Sequence, residues 1–196
     1  FKDSQNRLWF GTNGVGVFMH NGNELIHYNE NKGFYAKNVM SVSEDFENNI
    51  LFGTVGEGLI LYDNKSFTNI DAAYDIHTGM IRSIEKTENE IWYGTASEGI
   101  FRIVQKDAIV TLEFVNKKNG LNSNNIYLLF YDSKGNLWCG TEKGADRISF
   151  AKDNSIKSIE NYTVNEGFIG VETNINAYLE DKQGNIWFGT INGAVK

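Results

Sequence analysis

Acidic residues recur at one spacing along this chain, which makes them the first candidates for metal chemistry. Four Asp residues each stand three positions before a Gly or Asn and six before a Trp or Leu: Asp3, Asp45, Asp132 and Asp181. An EF-hand calcium loop needs alternating acidic residues and a Glu at its twelfth position, and none of these stretches provides them. Asp accepts hydrogen bonds from backbone N–H groups two residues on, and Gly and Asn tolerate positive φ. We therefore interpret the stretches as hairpin turns and predict no metal site.

No other set of residues has the spacing of a catalytic site. His20, His27 and His77 share no recurrent position, so neither a metal triad nor a nucleophile–base pair is visible. Glycoside hydrolysis needs two carboxylates about 5–10 Å apart, whereas Glu172 stands nearly alone in its type of loop. Gly14-Val15-Gly16 follows a strand-like segment but opens no helix, unlike a phosphate-binding loop. We predict a chain without catalytic residues and without a cofactor.

The composition excludes several partners. The 196 residues carry a net charge of −7 with a pI of about 5.0 and show no basic stripe, which argues against nucleic acid and anionic membranes. A membrane span needs about 18 consecutive apolar residues; the sequence has no such run, so we expect no membrane contact by this segment. The single Cys139 permits no intrachain disulfide and is expected to be a buried thiol.

We expect these turns to connect β-strands, because one short motif is repeated directly after them. All four Trp residues occupy the first position of Trp-x-Gly-Thr, and Leu51 occupies it in a fifth copy. These structural positions are Trp9 and Gly11, Leu51 and Gly53, Trp92 and Gly94, Trp138 and Gly140, and Trp187 and Gly189. The copies recur every 41 to 49 residues, a period typical of β-propellers. Lys86 replaces the turn Asp in the third copy, so we expect a different turn there.

Each period contains four predicted strands, which we call A to D. Strand A precedes the turn, the Trp-x-Gly-Thr motif forms strand B, a further Gly introduces strand C, and a weaker, more polar strand D follows. Along strand B of the fourth copy, Leu137 and Cys139 face one way, and Trp138 and Gly140 face the other. Both faces are apolar, which predicts a sheet packed between two like sheets.

The fold class that follows is all-β: a β-propeller of four-stranded antiparallel blades. The chain holds about four to five blade-equivalents in one domain, residues 1–196, with blade parts at about 1–31, 32–74, 75–116, 117–165 and 166–196. The sequence opens and stops within a repeat, so we predict a piece of a longer chain and an incomplete arc of a larger propeller. A closed ring of four or five blades is the alternative. In an open arc, exposed blade edges would pair between molecules.

The loops between strand D and the next strand A differ most between the copies and run towards the propeller axis. We therefore expect a ligand to be recognised there. The predicted ligand contacts are Tyr35, Lys37, Asn38, Arg82, Asn122, Asn124, Glu172 and Asn174. Amides with a few charges suit the hydroxyl groups of sugars, so the predicted ligand is an oligosaccharide.

Three segments of the fourth period carry a family resemblance. They are Gly120-Leu121-Asn122-Ser123-Asn124-Asn125-Ile126, Asp132-Ser133-Lys134-Gly135-Asn136-Leu137-Trp138 and Gly140-Thr141, and residues 181–190 are close to the last two. Together they resemble the two-component regulator propeller repeat. The other copies match in part, with Leu51 and Lys86 as departures. The resemblance implies a periplasmic or otherwise extracytoplasmic sensor region of a membrane-anchored histidine kinase or hybrid two-component protein. Some members of the family respond to polysaccharide breakdown products.

Three classes of function follow from these observations. The repeat and the lack of catalytic geometry favour a non-enzymatic sensor or ligand-binding segment. The first alternative is a structural or protein-interaction scaffold, which would act by self-association through blade edges or within the dimer of the parent protein. The second is a polysaccharide-acting enzyme, such as a lyase or a glycosidase.

Overall fold

The computed structural model describes residues 1–106 and 109–196, which form five antiparallel sheets. We number them blades 1 to 5. Blade 1 contains β1 (Leu8–Gly11), β2 (Val17–His20) and β3 (Leu25–Tyr28); blade 2 contains β4 (Val39–Glu44), β5 (Ile50–Thr54), β6 (Leu59–Tyr62) and β7 (Phe67–Asn69). Blade 3 contains β8 (Ile81–Lys86), β9 (Glu90–Thr95), β10 (Ile100–Lys106) and β11 (Ile109–Val115). Blade 4 contains β12 (Ile126–Tyr131), β13 (Leu137–Thr141), β14 (Gly144–Phe150) and β15 (Ile156–Tyr162); blade 5 contains β16 (Thr173–Glu180), β17 (Ile186–Thr190) and β18 (Gly193–Val195).

Short helical turns lie between strand D of one blade and strand A of the next. Helix α1 (Ile70–Ala73) follows β7, and single 3-10 turns occupy Glu30–Lys32, Lys117–Asn119 and Val164–Glu166. Each 3-10 turn ends at a Gly with positive φ, as at Gly120 with φ 115°. None of the helices in the described part of the chain is long and apolar enough to cross a membrane.

The blades form an open arc, as the sequence predicts. Consecutive strands pair within each blade, and the inner strands β4, β8, β12 and β16 pack on one another in order. Strand β16 stays in the sheet of blade 5 and does not complete blade 1. In blade 1, the backbone of Phe1 pairs with that of Trp9: its N–H group donates to Trp9 O at 3.0 Å and its carbonyl accepts from Trp9 N at 2.8 Å. No sheet closes on itself within the described residues, so the closed ring is not the observed form.

Strand B packs against two neighbouring blades at once. Leu137 and Cys139 lie in a cluster with Trp92 and Ile100 of blade 3, whereas Trp138 lies in a cluster with Phe188 of blade 5. Cys139 is fully buried and free. The predicted sandwich of like sheets is therefore confirmed, and each motif Trp of blades 1, 3 and 4 points towards the blade that follows it.

The Gly and Thr of the motif have separate structural roles. A Cβ at Gly94 would lie 2.5 Å from Cγ2 of Ile126, the first residue of the next inner strand. The missing side chain is thus what allows neighbouring blades to approach. The Thr hydroxyl donates to the carbonyl of the Gly that opens strand C, for example from Thr54 to Gly58 at 2.8 Å and from Thr190 to Gly193 at 2.8 Å.

The A–B turns lie at one end of the propeller, which we call the lower face; the D–A loops and B–C hairpins lie at the other, the upper face. In the turn of blade 4, the Asp132 carboxylate accepts from Lys134 N at 3.0 Å and from Asn136 N at 2.8 Å. Its Oδ2 also accepts from the indole Nε1 of Trp138 at 2.9 Å. The same indole bond joins Trp9 to Asp3 at 2.7 Å and Trp187 to Asp181 at 2.9 Å.

In blade 3 the indole N–H of the motif Trp donates to a different acceptor. Because Lys86 replaces the Asp, the Trp92 Nε1 donates instead to Glu90 Oε2 at 3.0 Å. Glu90 also forms a buried ion pair with Arg102, whose Nη1 reaches Glu113 at 3.0 Å. The prediction of a different turn is confirmed: Asn89 is not among the residues with positive φ, whereas Asn48 in the corresponding position of blade 2 has φ 64°.

Candidate functional site

The eight predicted ligand contacts do not form one site. Two of them serve the fold: Oδ1 of Asn122 accepts from the Thr141 hydroxyl at 2.8 Å, and Oδ1 of Asn124 accepts from Lys117 N at 2.8 Å. Asn38 bonds to blade 2 through its carbonyl, which accepts from Val55 N at 3.0 Å. Asn174 is exposed in β16.

Two more of the eight lie together on the upper face near blade 1. Tyr35, 69% exposed, and Lys37 line a shallow pocket of about 220 Å³ that His27 and Glu30 also line. Lys37 Nζ lies 3.6 Å from Glu30 Oε1, and both side chains are largely exposed. Such a pair is screened by water and adds little binding energy of its own.

The remaining two, Arg82 and Glu172, are brought together beside the propeller axis. A β-bulge in each of the inner strands of blades 2, 3 and 4 leaves one residue unpaired, and these residues are Met40, Arg82 and Tyr127. A bulge bends its strand and redirects a side chain. Here it places Arg82 and Tyr127 on adjacent strands, with the Arg82 guanidinium carbon 4.7 Å from the centre of the Tyr127 ring.

We call Arg82, Tyr127, Glu142 and Glu172 the axial cluster. Arg82 Nη1 donates to Asn125 Oδ1 at 2.6 Å and to the Ile126 carbonyl at 3.1 Å. Within residues 1–106 and 109–196, its Nε and Nη2 groups donate no hydrogen bond, so they remain available to a ligand.

The two carboxylates of the axial cluster lie near enough to this cation to act on its charge. Burial lowers the pKa of Arg82, while Tyr127, Glu142 and Glu172 oppose that shift. Arg stays protonated in any case. Burial raises the pKa of Tyr127, and the neighbouring Glu172 carboxylate adds to the effect. The cluster therefore holds one positive and two negative charges around an aromatic ring, an arrangement that favours a neutral polyhydroxylated ligand over an acidic one.

Glu142 uses only one of its two carboxylate oxygens as a hydrogen-bond acceptor among the described residues. Its Oε1 accepts from the Ser123 hydroxyl at 2.6 Å, while its Oε2 is buried and finds no partner among the described residues. A buried carboxylate oxygen without a donor is costly. A ligand hydroxyl or a water molecule at the axis would satisfy it.

A separate cavity of about 650 Å³ lies between the inner strands, lined by Met40, Ser83 and Leu129 and not by the four residues of the cluster. Its polar lining includes Ser41, Glu85 and Asn176. Burial raises the pKa of Glu85, and Ser41 Oγ has no hydrogen-bond partner among the residues that the structure describes. Asn176 Nδ2 crosses the axis and donates to the Arg82 carbonyl at 3.3 Å, so blades 3 and 5 meet there.

Sequence reasoning missed Tyr127, Glu142 and Ser123. Tyr127 follows the first residue of its inner strand, as Arg82 does, and Glu142 directly follows the motif Thr. The position after that Thr holds five different residues in the five copies: Asn13, Val55, Ala96, Glu142 and Ile191. That variation, at the same end of the propeller as the D–A loops, was the available signal.

No metal centre accompanies this cluster. In the part of the chain that the structure describes, no group of three or more His, Cys, Asp or Glu residues is placed to hold a metal ion.

Comparisons with known proteins agree with the repeat and the fold. The sequence profile described as "Two component regulator propeller" matches residues 120–143 and 170–192. Histidine kinase P4 of Formosa agariphila is 28% identical over 170 residues, which cover 74% of this chain and 11% of that protein. This chain therefore spans about a tenth of the length of that relative.

Solved structures show the same architecture. The extracellular domain of the putative hybrid two-component system BT3049 from B. thetaiotaomicron aligns with a TM-score of 0.83 at 22% identity, over 99% of this chain and 26% of that one. A virginiamycin B lyase from Staphylococcus aureus aligns with a TM-score of 0.62 at 13% identity, over 100% of this chain and 68% of that one. At such identities the likeness shows the β-propeller fold alone. This chain therefore carries two matches to the two-component regulator propeller repeat, both on a β-propeller fold.

Proposed function

We propose that this chain is a non-enzymatic, ligand-binding segment of an extracytoplasmic sensor in a two-component signalling protein, and that its ligand is a neutral oligosaccharide bound at the axial cluster. The single observation that carries the proposal is the geometry around Arg82. A cation with unused donors lies on an aromatic ring, and the charges of the Glu142 and Glu172 carboxylates act on it.

The chemistry of the cluster matches sugars in two respects. Carboxylates and a guanidinium accept from and donate to vicinal hydroxyl groups, and an aromatic face packs against the C–H face of a pyranose ring. The excess of negative charge disfavours uronic acids, since like charges repel in a partly buried site. No pair of residues in the cluster provides a nucleophile with its base.

The location and the signalling role rest on the relatives. The histidine kinase P4 and the extracellular domain of BT3049 are, by their names, parts of signalling systems, and the latter lies outside the cell. A segment of this kind would form part of a membrane-anchored parent protein. Ligand binding at the axis would then be reported through the arrangement of the blades, without any reaction of the ligand.

Calorimetry on the purified chain tests the binding site. We expect heat of binding with members of a neutral oligosaccharide panel, weaker binding of uronate oligomers, and at least about a tenfold loss of affinity in Tyr127→Ala and Glu172→Gln. Gln183→Ala, an exposed change on the lower face, is the matched control and should bind as the wild type does. Absence of heat across neutral and acidic panels would refute the site. New reducing ends or unsaturated products after incubation would refute the non-enzymatic assignment.

A scaffold that self-associates is the second candidate, because the two end blades expose apolar side chains. Leu8 and Phe10 of blade 1 are 39% and 48% exposed, and Leu179 and Ile191 of blade 5 are 60% and 61% exposed. In blades 2 to 4 the strand B side chains are buried. Sedimentation over a range of concentrations tests this: association that Phe10→Ser and Leu179→Ser abolish supports it, and a monomer at all concentrations excludes it.

A further inference from the structure

A second cavity, separate from the axial cluster, lies between blades 2 and 3. It measures about 380 Å³. Its walls are mainly aliphatic, from Leu51, Leu61, Ile91, Ile103 and Leu112. Native interiors are close-packed and contain few voids larger than a water molecule, so a cavity of this size at a blade interface requires an explanation.

This interface differs from the others at the one motif position without a Trp. In blades 1, 3 and 4 the motif Trp points into the interface with the next blade. Leu51 holds that position in blade 2, is 2% exposed, and faces blade 3 in a cluster with Ile91. The interface between blades 2 and 3 therefore has the geometry of an indole site with a smaller side chain in it.

The hydrogen-bond acceptor of the missing indole is still in place. Asp45 Oδ1 accepts from Glu47 N and from Asn49 N, both at 2.8 Å, as the turn aspartates of blades 4 and 5 do. In blade 5, Oδ2 of Asp181 accepts from both Asn185 Nδ2 and Trp187 Nε1, each at 2.9 Å.

In blade 2 the corresponding oxygen accepts from only one donor among the described residues, where Asp181 accepts from two. Asp45 Oδ2 accepts from Asn49 Nδ2 at 2.9 Å, and among the described residues no second donor takes the indole position. Asp45 lines the cavity. Its Oδ2 therefore offers an acceptor to whatever enters.

The rim of the cavity adds an aromatic lip and acidic charge. Phe46 from the turn and Tyr74, just after helix α1, line the opening, and Tyr74 is 49% exposed. Glu47 and Asp63 lie at the rim with Asp45. The nearby cation, Lys86, is already engaged: its Nζ donates to the Asp45 carbonyl at 2.5 Å. The rim thus disfavours an anionic ligand.

We propose that this cavity binds a flat aromatic heterocycle that carries a ring N–H donor and is neutral or positively charged, with indole as the simplest example. The ring would occupy the volume that the motif Trp fills in the other blades, and its N–H would donate to Asp45 Oδ2. Apolar cavities of about 150 Å³ already bind benzene, so the volume here accommodates a two-ring molecule. The site is independent of the axial cluster and does not rest on the proposed sugar binding.

Two-dimensional NMR of the isotope-labelled chain, titrated with indole, tests the proposal. We expect saturable shifts at the residues that line the cavity, with a Kd below about 1 mM, and at least about tenfold weaker binding of 1-benzothiophene, which has the same shape without the N–H. Indole-3-acetate should bind more weakly than indole. No saturable shift at those residues up to the solubility limit of indole would overturn the proposal.

Three variants distinguish the contribution of the cavity volume to binding from the contribution of its hydrogen-bond acceptor. Leu51→Trp supplies the indole covalently, so it should abolish indole binding; Ile103→Phe fills the cavity from the opposite wall and serves if Leu51→Trp does not fold. Asp45→Asn keeps the turn bonds through its Oδ1 but should remove the preference for indole over 1-benzothiophene. Undiminished binding in Leu51→Trp, or an unchanged preference in Asp45→Asn, would overturn the assignment. A wild-type dimer that Leu51→Trp dissociates would place a second copy of the chain in the cavity and would also overturn it.

Discussion

The lower and upper faces of this propeller are built by opposite rules. On the lower face of blades 1, 4 and 5, a turn carboxylate accepts the indole N–H of its own blade, so the same arrangement recurs three times. On the upper face the bulge residues Met40, Arg82 and Tyr127 are all different. Repetition marks the face that holds the blades together, and variation marks the face that can recognise something.

Two aspartates of blade 4 show the difference in their ionisation. Burial alone would raise the pKa of Asp132, but hydrogen bonds from Asn136 and Trp138 hold it below its usual value. Asp146 in β14 is fully buried near the upper face, and burial raises its pKa to about 6 although it accepts bonds from Asn161 and Asn122 N. One carboxylate stabilises the fold when charged, and the other when neutral.

The largest expected effect is on the lower face. Asp132→Ala removes the acceptor of two backbone N–H groups and of the Trp138 indole, which is 8% exposed. Buried donors without partners are costly, so the free energy of unfolding should fall by about 3 kcal/mol. Urea denaturation measures it. Asp153→Ala, in an exposed turn of the same blade, is the control and should change stability by less than about 0.5 kcal/mol; equal losses in the two variants would contradict the structural role of the indole bond.

The second effect is the pH dependence that Asp146 imposes. Its folded pKa of about 6 is above the ordinary 3.8, so the folded state retains a proton that the unfolded state releases. This contribution to stability is fully present below about pH 4 and is lost as the pH rises through about 6, by on the order of 3 kcal/mol. Asp146→Asn should flatten the stability profile between pH 4 and 6, measured by denaturation at a series of pH values. A variant profile as steep as that of the wild type would assign the titration to another group.

A smaller effect is expected at the contacts between turns and the next inner strand. Ser133 N donates to Glu180 Oε2 at 2.8 Å, its hydroxyl bonds to the same carboxylate, and Ser4 bonds to Glu44 in the same way between blades 1 and 2. Ser133→Ala keeps the backbone bond and loses the hydroxyl one, so it should cost about 0.5–1 kcal/mol. Lys134→Ala in the same turn should be neutral in the same thermal unfolding assay. A larger loss in Lys134→Ala would argue against this contact as a link between blades.

The smallest stability effect should come from the upper face. The Tyr127 hydroxyl accepts only a long bond of 3.4 Å from Asn125 Nδ2. Tyr127→Phe should therefore change the free energy of unfolding by less than about 0.5 kcal/mol. A strong loss of stability in thermal unfolding would show that Tyr127 belongs to the structural part of the molecule.

Most of the fold could be predicted from the sequence, because the same pattern of strand and turn residues recurs in each repeat. The four copies of Trp-x-Gly-Thr and the fifth with Leu51 located strand B of each blade, and the alternation at residues 137–140 predicted the correct packing faces. The open arc was also predicted. What the sequence did not reveal is the bond from Asp to the indole, since a spacing of six residues says nothing about which atoms meet until the turn is built.

The site was less predictable, for two physical reasons. Loop amides resemble ligand contacts in sequence, yet Asn122 and Asn124 bond to the protein itself. Bulges, in turn, are set by backbone register, and it is the bulges that bring Arg82 and Tyr127 to the axis. The sequence predicted Arg82 and Glu172 as ligand contacts. The position of Tyr127 beside Arg82 could be identified only from the strand register of the structure.

Blade 3 has a consequence for how such repeats are recognised in genomes. Its Trp92 keeps an acidic partner, but that partner, Glu90, precedes the Trp by two positions, whereas Asp132 precedes Trp138 by six. A search pattern that demands the distant Asp discards this blade. A pattern that accepts an acidic residue at either position would count the blade, and would give more complete blade numbers across related sequences.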